Sequence, residues 1–124
     1  MDVVVDASVW IDHLHRSDPK LVALLQAGEV VMHSAVLGEL ACGTLPKRAE
    51  LLELWWALRT VPEINSIEAI ALIEQRHLWG EGLGWTDVLL LGSALLAGAK
   101  LWTRDRPLQR VASELGVSLT TKAS

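Results

Sequence analysis

The chain has 124 residues, a formal net charge of −4 and a composition that is 51% hydrophobic, which suits a single α/β domain over residues 1–124 and excludes a disordered chain. Eleven Lys and Arg against fifteen Asp and Glu argue against a general basic coat for nucleic acid, while leaving a local patch open. The lone Cys42 excludes an intrachain disulfide framework and a multi-cysteine zinc site, and the uncharged run from Val88 to Ala99 is too short to span a bilayer. Charges at Asp2, Asp6, Asp12 and Arg16 leave no room for a signal-peptide core, so a soluble cytoplasmic protein is expected.

In chain order, Val3 to Val5 is a β-branched run that reads as a buried strand closed by Asp6. Ser8 to His15 reads as a helix, and Asp18-Pro19 opens a second one that Gly28 closes. Val30 to His33 is a second strand, and Ser34 is the expected cap of a helix reaching about Thr44. Pro46 to Arg59 repeats apolar residues at Leu51, Leu52, Trp55, Trp56 and Leu58, the spacing of an amphipathic helix. An extended piece around Val61 precedes a Ser66-capped helix to Trp79. After the loop from Gly80 to Gly84, Thr86 is the expected cap of a helix from Asp87 to Ala97, which Gly98 ends. Leu101 to Thr103 is a strand, Pro107 to Leu115 a helix, and Val117 to Leu119 a last strand. Strands alternating with helices predict a three-layer α/β/α sandwich around a mainly parallel sheet. In such sheets, sites form outside the carboxyl ends of the strands.

That rule selects carboxylates. Asp6 follows the first strand, and Asp105 follows the Leu101 to Thr103 strand after one residue. Glu39 has Ala35, Val36, Cys42 and Gly43 as helical neighbours, all small or apolar. Asp87 is the only charge between Glu81 and Lys100, at the head of a helix apolar nearly all round, which predicts a buried carboxylate needing a partner. Each acid also has a plain reading: Asp6 as a strand end, Asp105 as a helix-initiating turn residue, Asp87 as an anion at a helix N-terminus and Glu39 as a surface residue. A shared site explains all four together. Hard cations such as Mg²⁺ take oxygen ligands of this kind, and their commonest chemistry there is phosphodiester hydrolysis.

Val3 to Trp10 (VVVDASVW), Gly38 to Gly43 (GELACG), Thr86-Asp87 and Leu101 to Asp105 (LWTRD) resemble the PIN-domain nucleases, and among them the VapC toxins of bacterial toxin–antitoxin pairs. The resemblance covers nearly the whole chain in the right order. It implies that Asp6, Glu39 and Asp87 hold Mg²⁺ or Mn²⁺, with Asp105 as a fourth acid and Ser8 and Thr103 as supporting hydroxyls. It further implies a homodimeric, metal-dependent endoribonuclease in which an activated water cleaves RNA phosphodiesters. The same resemblance implies silencing by a cognate VapB-type antitoxin, whose C-terminal segment wraps such toxins and often sets a basic residue among the acids.

Lys100, Arg104, Arg106 and Arg110 surround the Asp105 turn and form the best local basic patch for RNA phosphates, against the plain reading of a solvated cluster. Trp10 and Trp85 flank site residues, but core packing is the better expectation for both. The four His show no metal spacing. Two other functions fit an acidic α/β chain of this size. A receiver-like phosphoacceptor domain would need an acid pair after the first strand and an acceptor Asp on a middle strand, and both are missing here. A catalytically silent RNA- or partner-binding scaffold would not require all four acids.

Overall fold

A computed structural model of the protein describes residues 1–119. Three strands, β1 (Val3–Val5), β2 (Val30–Val31) and β3 (Lys100–Trp102), form a parallel sheet in the order β2-β1-β3. Val3, Val4 and Val5 are all at most 1% exposed. Because successive strand residues point to opposite faces, both faces of the sheet are covered, which is the α/β/α layering expected from the sequence.

Seven helices provide the cover: α1 (Ala7–His15), α2 (Pro19–Gln26), α3 (Ser34–Cys42), α4 (Arg48–Trp56), α5 (Ser66–Arg76), α6 (Trp85–Ala97) and α7 (Arg106–Glu114). Helix α1 packs on α3, α3 on α4 and α6, and α5 on α6. Leu21, Leu40, Leu90, Leu91, Leu101 and Leu108 are fully buried and join the layers into one core.

The predicted element order holds, and the differences lie at the ends. The cap of α3 is His33, whose Nδ1 accepts from the Ala35 N–H at 3.0 Å, and Ser34 is the first helical residue. Asn65, not Ser66, caps α5 and forms a reciprocal pair with Glu68. Gly84, not Thr86, precedes α6. In each case the cap must have extended backbone, so a hydroxyl already inside the first turn cannot serve. Helix α4 is shorter than Pro46 to Arg59 because Lys47 takes a left-handed conformation, φ 49°, at its start. Helix α5 stops at Arg76 because His77 is left-handed, φ 53°. The predicted strand from Val117 to Leu119 is reduced to a single bridge between Ser118 and Leu101. Arg48 donates to the carbonyls of Ala41 and Gly43, satisfying the last turn of α3.

Helix α6 is not buried all round. Val88, Leu90, Leu91 and Ala94 face the core, while Leu96 is 59% exposed. Among the described residues, no helix is long and apolar enough to cross a membrane.

Candidate active site

Asp6 leaves β1 with its N–H donating to the Trp102 carbonyl at 2.9 Å, so the sheet fixes its backbone. It stands at the N-cap of α1, yet its side chain makes no cap bond. Its Oδ2 instead accepts from Ser8 Oγ at 2.8 Å and from Thr103 Oγ1 at 2.7 Å. Each of these hydroxyls also accepts a backbone N–H, Ser8 from Arg104 and Thr103 from Asp105, both at 3.0 Å. A hydroxyl has one proton, so accepting from the loop directs that proton to Asp6. The carboxylate is 8% exposed and still satisfied.

Asp105 lies two residues beyond Thr103, and its Oδ2 caps α7 by accepting from Leu108 N–H at 3.0 Å. The plain reading as a helix-initiating residue is therefore correct, and it leaves Oδ1 without a hydrogen bond among the described residues. Asp87 is the third residue of α6, half-buried, and its Oδ2 accepts from Gly84 N–H at 2.8 Å. Burial pushes its pKa up, partly offset by the Gly84 N–H, and the charges of Asp105 and Asp6 push it further up. Glu39, on α3, is exposed, with buried Val36 on one side and exposed Cys42 and Gly43 on the other. Partial desolvation of its carboxylate raises its pKa, reinforced by Asp6 and Asp87. The four acids are therefore coupled by mutual repulsion at one end of the sheet.

The donor set is entirely hard oxygen, and among the described residues none of the four acids forms an ion pair with Lys, Arg or His. Nor do three His, Cys, Asp or Glu side chains converge there into a ready-made metal cage. The arrangement fits a cation of the Mg²⁺ kind, which keeps several waters and takes only one or two direct carboxylates. It does not fit a closed structural site.

The predicted basic patch is mostly dispersed. Lys100 begins β3, at the opposite end of the strand from the acids, and its Nζ donates to the Gly116 carbonyl at 3.1 Å. Arg110 is held by Glu81, and Arg104 by Asp12 and Asp18. Arg106 alone of the four is exposed without such a partner among the described residues. Trp10 is core, 4% exposed and edge-on to Trp55 at 5.8 Å, whereas Trp85 is 47% exposed, contrary to expectation. Asp12 escaped the sequence reading. The available signal was its place four residues after Ser8, hence on the same face of α1.

An apolar groove of about 270 Å³ runs between α1, α2 and α4, lined by Trp10, Leu14, Leu25, Leu51, Leu54 and Trp55. Leu14 also borders a separate cleft of about 220 Å³ whose lining includes Glu39.

The PIN domain family model matches residues 3–114, and the chain belongs to that family, as a PIN domain of the VapC type. It is 44% identical over 123 residues to Ribonuclease VapC32 of Mycobacterium tuberculosis, as represented in strains CDC 1551 / Oshkosh and ATCC 25618 / H37Rv, with 98% of this chain and 99% of the relative covered.

Proposed function

We propose that this protein is the endoribonuclease toxin of a toxin–antitoxin pair, with Asp6, Glu39, Asp87 and Asp105 as the acids that hold Mg²⁺, or Mn²⁺ in its place. The observation that carries this reading is the set of four unpaired acids at one end of the sheet, in a chain so similar to a protein named as a ribonuclease. A bound divalent cation would supply Lewis-acid stabilisation of phosphate charge and a more acidic water. Asp6 is the fixed reference of the site, because Ser8 and Thr103 hold its Oδ2 and leave Oδ1 free among the described residues. Glu39 and Asp87 supply charge that the fold leaves uncompensated. Asp105 holds the entry of α7 against the site while its Oδ1 faces no protein donor among the described residues. Arg106, exposed beside Asp105, is the basic residue best placed to meet a phosphate.

The apolar groove suits the apolar side chains of a VapB-type antitoxin segment, and the neighbouring cleft that Glu39 lines suits a basic residue from that segment. Exposed Ile67 and Ile70 on α5 with Leu96 on α6 form an apolar face of the kind a homodimer buries. Exposed Cys42, unpaired among the described residues, agrees with a reducing, cytoplasmic setting.

The test is RNA cleavage by the parent and by Asp6→Asn, with Mg²⁺ and with a chelator. The parent should cut only with the cation, and the variant should not cut. Equal rates for both proteins would remove the assignment.

A further inference from the structure

We propose that Arg104 is a positioning residue that ties α1 and α2 to the Asp105 loop, and not a ligand for RNA phosphate. The inference rests on the reading that the acids cleave RNA. Its guanidinium Nη2 donates to Asp18 Oδ2 at 2.8 Å, and its Nε forms an ion pair with Asp12 Oδ2 at 2.8 Å. Asp18 is itself anchored: its Oδ1 caps α2 by accepting from Lys20 and Leu21 N–H, and its own N–H donates to His13 Nδ1 on α1. The guanidinium carbon lies 5.9 Å from the centre of the Trp102 ring on β3.

The backbone of the same residue donates to Ser8 Oγ at 3.0 Å. Ser8 and Asp12 are four residues apart, hence one turn apart on the same face of α1. Arg104 therefore grips α1 at two points, main chain on Ser8 and side chain on Asp12, which opposes both sliding and rotation of the helix against the loop. Ser8 passes the constraint to Asp6, and Asp105 follows Arg104 directly. With one cation between two carboxylates, the trio carries net negative charge and has little to offer a phosphate. A planar guanidinium can serve two diverging carboxylates in this way, and a lysine ammonium on its flexible stem matches that geometry poorly.

Exposed ion pairs contribute little to stability, whereas small misplacements of catalytic groups cost rate. The clamp should therefore appear in kcat. The experiment measures RNA cleavage by the parent, Arg104→Ala, Arg104→Lys and Asp12→Asn, with amide hydrogen exchange of residues 104 and 105 followed in the same proteins. Arg104→Ala and Asp12→Asn should each lower kcat by about tenfold at unchanged KM, and both should speed exchange of the two amides. The double variant should be no worse than Arg104→Ala, and Arg104→Lys should restore little. A phosphate ligand would behave in the opposite way: Arg104→Ala would raise KM at preserved kcat, and Asp12→Asn, by freeing the guanidinium, would lower KM. That pattern, or unchanged exchange in the variants, overturns the proposal. If Arg104→Ala does not fold, Asp12→Asn, at an exposed acid, decides alone. A parent that cuts no RNA counts against the nuclease reading, while the exchange rates still judge the clamp.

Discussion

The two halves of the acidic site are held by different forces. Asp6 is buried yet compensated by two hydroxyls that the loop orients, and Asp105 has one oxygen on a helix cap. Glu39 and Asp87 are carried by helices, and among the described residues their side chains receive one hydrogen bond, from Gly84 N–H to Asp87. Their pKa values are raised by desolvation first, and also by neighbouring negative charge. One half sets geometry. The other half stores unrelieved negative charge, which a cation would relieve.

Breaking the ordered half should cost most. Asp6→Asn should slow RNA cleavage by about three orders of magnitude, since a Lewis acid contributes several kcal/mol and each ~1.4 kcal/mol is tenfold; steady-state cleavage of a defined RNA measures it. Thr103→Val removes a hydroxyl that donates to Asp6 and accepts from Asp105, and should cost about 10- to 100-fold in activity or metal affinity. Titration of cleavage against Mg²⁺ separates the two effects.

The strained half sets the pH dependence. Glu39 and Asp87 bind protons more tightly folded than unfolded, so their charging destabilises the fold. That penalty is absent below their ordinary values of 4.5 and 3.8, grows as pH rises through the raised values, and is complete above them. Mg²⁺ at a hundredfold excess over Kd should stabilise the protein by about 2.7 kcal/mol, with the gain shrinking towards pH 4. Thermal unfolding with Mg²⁺ or chelator at a series of pH values would show it. The smallest effect is expected from Glu39→Gln in chelator: a rise in Tm of about 1–3 °C at neutral pH, small because water screens an exposed carboxylate, and no rise at pH 4. A fall in Tm at neutral pH would mean that Glu39 is not repelled by its neighbours.

Much of the fold was legible because its signals are local. The valine run of β1, the Asp18-Pro19 entry to α2 and the Gly98 stop of α6 act within a few residues, through burial, capping and left-handed backbone. Helix ends were less legible, because a cap is defined by backbone conformation and not by residue type alone. His33 at the head of α3 is an example. The four acids were legible as residues out of place, but not their division into compensated and strained pairs. Asp6 depends on Thr103, which is 97 residues away in the chain. The basic patch misled for the same reason: clustering in sequence placed Arg104 beside the site, while the fold turned its side chain to Asp12 and Asp18.

By itself, the sequence determined the order of elements and the parallel α/β class and singled out four candidate acids, since periodicity and strand-end position follow from short-range backbone chemistry. It also showed that net charge does not oppose an RNA substrate: with those four acids set aside, eleven acidic residues stand against eleven basic ones. Only the tertiary structure decided which carboxylate oxygens are satisfied, which cations are already engaged and where the apolar groove forms. Those outcomes depend on side chains brought together across the crossovers, where a charge or hydrogen bond acts over a few ångströms of space whatever the distance along the chain.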